Sequence, residues 1–269
     1  MPPSPTILVF DSGLGGLTVF RAIAAARPDA RLVYAADDAG FPYSAWKEGE
    51  LSARVIEVIG SLIGEYRPDL AVIACNTAST LVLAELRRRF TLPFVGTVPA
   101  IKPACAQSRT RLVSVLGTEA TVAREYTKAL IRDFSQGCDV TLVGSKRLAP
   151  LAEARLRGEV CNDGEIAAEI APCFVEKNGA RTDTVVLACT HYPLLLDRLT
   201  ALSPWPVNFI DPAPAIARRV AEISGAGPTP GASGPPPGLH FTSGTPAPRT
   251  LAGNLVDFGF TARPLATPL

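Results

Sequence analysis

Residues 70–80 read LAVIACNTAST and residues 184–193 read TVVLACTHYP. Each is a short apolar run, LAVIA or TVVLA, that stops on a cysteine and is followed at once by polar residues. An apolar run without polar alternation is the pattern of a strand buried on both faces, as in a parallel sheet covered by helices. In an open sheet of that kind, ligands bind beyond the carboxyl ends of the strands, where following helices offer free N–H groups and a favourable dipole. The repetition points to one kind of site built twice.

The rest of the chain extends the pattern. TILVF, RLVYAA, FVGTV, RLVSVLG, VTLVG and VNFID are further β-rich runs, and they alternate with segments of helical period such as Glu50–Tyr66 and Thr121–Phe134. Alternating strand and helix predicts an α/β fold of mainly parallel sheets flanked by helices. LVFDSG (8–13) and SVLGTEAT (114–121) both place small and hydroxyl residues behind a strand, as the cysteine segments do. We therefore expect two pseudo-symmetric lobes facing each other across a cleft. A first crossing is expected near Thr97–Pro99 and a return near Pro204–Asp211. That gives a discontinuous first lobe of residues 1–98 and 207–269 and a second lobe of residues 99–206. The Gly/Pro/Ser-rich stretch 225–238 reads as a flexible surface loop, and LHFTSG after it as a last strand rejoining the first lobe.

Composition narrows the function. A chain of 269 residues, 47% apolar and 19% charged, can bury one large core or two medium ones, with two domains the default. A formal net charge of +1 argues against nucleic acid or an anionic membrane as the main partner and leaves a small molecule. The N-terminal MPPSPTILVF lacks the basic region of a secretory signal, and no run approaches the roughly 18 apolar residues of a membrane span, so a cytoplasmic protein is expected. The six cysteines show neither C-x-x-C pairs nor disulfide-like density, which makes reduced thiols the natural state. Cys105, Cys138, Cys161 and Cys173 lack the strand-end setting and read as structural.

The motifs admit more than one reading. DSGLGG (11–16) falls short of a dinucleotide fingerprint because the third glycine would fall on Thr18. Its glycines fit a tight strand-to-helix turn, with Asp11 either pointing into the cleft or capping, with Ser12, a helix that begins near Leu14. A lone free cysteine is more often a buried small hydrophobe than a reagent. Two of them, each before a helix N-terminus that lowers a thiol's pKa from about 8.5, shift the balance towards chemistry. His191, two residues from Cys189, is either a satisfied helix-start histidine or a group that holds that thiol's proton. Zinc is not expected, since the other histidine, His240, lies beside the low-complexity loop and ligand spacing is absent. No G-x-S-x-G elbow suggests a serine hydrolase, and Glu153 alone reads as a solvated helix residue.

Together, FDSGLGGLTV, DDAGFPYS, PDLAVIACNTAST, LGTEATV, DTVVLACTHYPLL and FIDPA, in order from about Ile7 to FTSG, resemble the glutamate racemases of the cofactor-independent aspartate/glutamate racemase superfamily. The resemblance implies one cysteine from each lobe at the interlobe cleft and no metal or organic cofactor. Cys75 would act as base towards D-glutamate and Cys189 towards L-glutamate, with Asp11 assisting the first and His191 and Glu153 the second. Ser12, Pro42, Tyr43, Ser44, Asn76, Thr77, Thr118, Thr121 and Thr190 would contact substrate, as would Asp11 and His191. D-glutamate would feed peptidoglycan synthesis, and a homodimer is one assembly the family allows. Two residues depart from the family's pattern: it usually carries a basic or polar residue where Gly40 stands, and a glycine where Ser44 stands.

Overall fold

A computed structural model describes residues 4–225 and 233–260. Its strands are β1 (Thr6–Asp11), β2 (Arg31–Ala36), β3 (Leu70–Ile73), β4 (Phe94–Gly96), β5 (Leu112–Thr118), β6 (Asp139–Ser145), β7 (Glu176–Lys177), β8 (Ala180–Arg181), β9 (Thr184–Ala188), β10 (Asn208–Ile210) and β11 (Gly238–Phe241). Its α-helices are α1 (Leu17–Ala26), α2 (Glu48–Tyr66), α3 (Asn76–Arg89), α4 (Ile101–Gln107), α5 (Glu119–Ala123), α6 (Glu125–Phe134), α7 (Leu148–Leu156), α8 (Asp163–Ile170), α9 (Leu196–Ala201), α10 (Ala213–Ser224) and α11 (Arg249–Leu255).

The strands form two parallel sheets, ordered β11-β2-β1-β3-β4 and β10-β9-β5-β6, with β7 and β8 as a small antiparallel hairpin. Successive residues of each strand serve opposite faces, as the two-residue period requires. Ile7 and Val9 pack with α1, α10 and α11, while Leu8 and Phe10 pack with α2 and α3. In the second sheet Val185 and Leu187 face α7 and α8, and Val186 and Ala188 face α4. Every residue of β3 and β9 is buried, which explains their unbroken apolar runs. Burial of each such Leu, Ile or Val contributes about 1.5–3 kcal/mol.

Register then sets the site. Phe10 lies opposite Ile73, so Asp11 and Cys75 leave neighbouring strands of the first sheet side by side. Gly117 lies opposite Ala188, so Thr118 and Cys189 do the same in the second.

Three expectations need correction or placement. The helical segment Thr121–Phe134 is two helices: Arg124 is extended (φ −65°, ψ 140°), and the Thr127 hydroxyl donates to the Thr121 carbonyl at 2.6 Å, satisfying it. Residues 208–210 pair with β9 in the second sheet, so a second lobe ending at residue 206 stops one strand short. The reason is the apolar VNFI run, which completes that sheet's edge before Pro212 starts the helix that packs on α1. Of the stretch 225–238, residues 226–232 lie outside the described residues, and Gly238 already belongs to β11. Among the described residues, no helix is long and apolar enough to cross a membrane.

Candidate active site

Cys75 stands at the N-cap of α3, beyond β3, and is 5% exposed. Its Sγ donates to Ser12 Oγ at 3.6 Å. The helix dipole predicts a lowered thiol pKa here, and the outcome is the reverse. Burial, reinforced by the nearby Asp11 carboxylate, pushes Cys75 up to about 12, against the Ala78 N–H and Ser12, which favour the thiolate. Asp11 is itself fully buried; its Oδ1 accepts from the Gly13 N–H at 3.0 Å and its Oδ2 from the Thr190 hydroxyl at 2.9 Å. Burial raises its pKa, opposed by His191 and the Thr190 and Gly13 donors. Asp11 therefore points towards the other lobe and does not cap α1, whose N-cap is Gly16.

Cys189 follows β9 and leads into a short 3-10 turn, Tyr192–Leu195, instead of an α-helix. Its Sγ lies 3.8 Å from His191 Nδ1, and His191 Nε2 lies 2.8 Å from Glu153 Oε1. Burial disfavours the imidazolium, but hydrogen bonds and charge from Cys189 and Glu153 outweigh it and hold His191 well above the ordinary histidine pKa. Burial likewise works against the Glu153 carboxylate, yet His191, the Leu14 N–H and Arg157 keep its pKa below normal. The Cys189 side is thus a buried sulfur–imidazolium–carboxylate chain.

The glycine-rich turn of the first lobe closes over this chain. Leu14 N–H donates to Glu153 Oε1 at 2.5 Å, and Tyr34 Oη braces the turn through the Gly13 carbonyl at 2.7 Å. A Cβ at Gly15 would lie 2.6 Å from His191 Cγ and 2.7 Å from its backbone N, and one at Gly13 would overlap Glu153 Oε1. Only glycine allows so close an approach.

Between the cysteines is a cavity of about 20 Å³, lined by both thiols and by Ser12, Pro42, Tyr43, Ser44, Asn76, Thr77, Thr118, Thr190 and His191. That is space for about one water molecule. Thr77 Oγ1 bridges the lobes to Thr118 Oγ1 at 3.1 Å and to Thr121 Oγ1 at 3.2 Å. Asn76 is 2% exposed, and neither its amide N nor its amide O has a partner.

The residues singled out in the sequence thus converge: Thr121 and Glu153 adjoin the cavity through Thr77 and His191, and the rest line it or, as Asp11 does, bond its lining. Sequence reasoning did not find Phe41, whose ring stands 5.4 Å from that of His191, nor Ala149 in the wall, nor the Leu14 N–H. An apolar side chain and a backbone group carry no motif. Cys105 and Cys173 are buried away from the cleft, while Cys138 and Cys161 donate to the carbonyls of Cys105 and Leu151. Chemically, two thiols opening on one cavity, each with its own ionisable neighbour, can take a proton from a bound C–H acid and return one.

The Asp/Glu/hydantoin racemase family matches residues 17–220. A glutamate racemase of Brucella canis is 58% identical over 222 residues, 82% of this chain and 80% of that one. Escherichia coli glutamate racemase, crystallised with L-glutamate and the activator UDP-MurNAc-ala, superposes with a TM-score of 0.87 at 38% identity, covering 96% of each chain. The Thermus thermophilus glutamate racemase, in complex with β-chloro-D-alanine, gives a TM-score of 0.72 at 29% identity over 97% of this chain and 96% of that one. The chain belongs to the Asp/Glu/hydantoin racemase family, among its glutamate racemases.

Proposed function

We propose that this chain interconverts L- and D-glutamate by proton transfer at Cα between Cys75 and Cys189, supplying D-glutamate for peptidoglycan synthesis. The observation that carries the reading is that strand-end thiols from two separate sheets open on one cavity. Inversion must remove a proton from one face of Cα and deliver one to the other, so two acid/base groups serve it better than one.

From L-glutamate, the Cys189 thiolate takes the Cα proton: an S–H bond forms as Cα–H breaks, and the electron pair stays on Cα. That pair takes the proton of the Cys75 thiol on the opposite face, giving D-glutamate, a Cys75 thiolate and a Cys189 thiol. Proton exchange with solvent restores the starting form, and the reverse reaction uses the same groups. The electrostatics support this resting state, since Cys75 is held as the thiol and an imidazolium 3.8 Å away is the counter-ion for a thiolate at Cys189. Asp11 assists Cys75, and His191 with Glu153 assists Cys189.

A weakly acidic Cα proton needs its developing charge met by fixed donors in a dry site. Ser12, Asn76, Thr77, Thr118, Thr121 and Thr190 supply hydroxyl and amide groups, and Asn76 and Thr77, the first residues of α3, line the same space, which suits a dicarboxylate. Asn76 keeps donor and acceptor unpaired, while Thr77, Thr118 and Thr121 are hydrogen-bonded to one another and Thr190 to Asp11. The same reading gives a cytoplasmic enzyme with a small-molecule partner, and a homodimer as the assembly to check by sedimentation.

Circular dichroism of L- or D-glutamate and of L- or D-aspartate with the purified, reduced protein tests the reading. We expect loss of optical activity from both glutamates at matching rates and little from aspartate. Faster loss from aspartate would move the substrate to the shorter acid, and no loss from either would remove the racemase reading.

A further inference from the structure

Asp37, just past the end of β2, is fully buried. It accepts from Tyr43 Oη at 2.6 Å, from Arg54 Nε at 2.7 Å and Nη2 at 2.6 Å, and from Thr242 Oγ1 at 2.6 Å. Arg54 comes from α2, stacks on the Trp46 ring at 5.5 Å and meets Asp37 with the two-pronged geometry specific to a guanidinium. Trp46 Nε1 in turn donates to the Gly40 carbonyl at 2.8 Å.

Gly40 explains why the cation comes from so far along the chain. A Cβ there would lie 2.5 Å from Arg54 Nε, 2.7 Å from Asp37 Oδ2 and 3.1 Å from Tyr43 Cε1. The space that a side chain at position 40 would fill is taken by the Arg54 guanidinium.

We infer that Arg54, which fills the space a side chain at Gly40 would take, is a positioning residue: through Asp37 it fixes Tyr43 and the cleft wall of Phe41–Ser44, and so sets the affinity for glutamate. The wall it holds lines the cavity beside both thiols, while Arg54 itself does not reach that cavity. Its effect therefore falls on binding and leaves the proton transfers alone. Asp37 fits the same picture: burial works to raise its pKa, yet Arg54, Thr242 and Tyr43 together hold it below the carboxylate norm. This inference rests on the glutamate racemase reading of the site.

The test compares KM and kcat for L- and D-glutamate in the wild type, Arg54→Ala and Arg54→Lys, with thermal midpoints alongside. Arg54→Ala is expected to raise KM about 10-fold for both enantiomers with kcat within about twofold, the signature of lost uniform binding. Arg54→Lys, which keeps charge but loses the fork, falls between. An Arg54→Ala enzyme with a lowered midpoint and unchanged KM would overturn the inference. Should Arg54→Ala not fold, Arg54→Lys carries the test, since it keeps the charge and loses the paired bond to Asp37; a raised KM at unchanged kcat supports the inference, and an unchanged KM overturns it. A wild type inactive on glutamate would instead remove the site reading itself.

Discussion

Cys75 and Cys189 end equivalent strands in two sheets of the same build, yet their surroundings have opposite electrical character. Cys75 is buried beside a carboxylate, and the two together keep its proton in place against the pull of the Ser12 hydroxyl. Cys189 faces an imidazolium backed by a second carboxylate. The fold repeats the position and the side chains differentiate the charge, so a single arrangement holds one thiol protonated beside a thiolate-compatible partner. A two-base racemase needs that asymmetry in each half-cycle, because two thiols or two thiolates would each leave one step without its proton or its base.

Short of removing a thiol, the largest effect should come from forcing the lobes apart on the Cys189 side. Gly15→Ala places a methyl group 2.6 Å from His191 Cγ, and kcat/KM for both glutamates should fall about 100-fold, as expected when reacting groups move by about 1 Å. An activity within twofold of wild type would mean that the turn's closeness to His191 is irrelevant.

Asn76→Ala acts on the Cys75 side. It removes a buried amide with no internal partner, so thermal stability should hold while KM rises about 10-fold. A lost midpoint with unchanged KM would make Asn76 structural.

Glu153→Gln sharpens the contrast through pH. Glu153 is one of the groups that raise His191, and burial, which lowers it, remains in the variant. The variant's His191 therefore loses its proton at lower pH, and the alkaline limb of kcat/KM should move to lower pH. An unmoved limb would separate His191 from the rate. The smallest effect is a control far from both thiols. Gly64 lies in α2 with open space where a Cβ would go, so Gly64→Ala should add about 0.5–1 kcal/mol of stability and leave KM and kcat unchanged.

Much of this architecture was legible in the sequence because doubly buried strands announce themselves as unbroken apolar runs; LAVI and TVVLA became β3 and β9 with little change. Strand-end cysteines followed by small polar residues were legible for the same reason. Glu153 was not, since on a helix face it looks solvated; it is buried only because the 11–16 turn of the other lobe covers it. The Cys75 pKa went the other way from the helix-dipole expectation because desolvation and Asp11, both tertiary effects, outweigh a single helix terminus. Arg54 left no signal at all, as its importance depends on an empty Cβ position 14 residues earlier in the chain. The break at Arg124 was hidden too, because a threonine hydroxyl, not a proline or glycine, takes the carbonyl that would continue the helix.

The central claim is that two thiols divide the work by face, and proton NMR of L- and D-glutamate in D₂O with Cys75→Ser and Cys189→Ser tests it most directly. The wild type should convert either enantiomer with deuterium entering Cα, and each variant should lose conversion by about 1,000-fold or more. Any residual deuterium should enter L-glutamate alone in Cys75→Ser, where Cys189 remains, and D-glutamate alone in Cys189→Ser. Conversion near the wild-type rate in either variant, or deuterium entering the same enantiomer in both, would contradict the account.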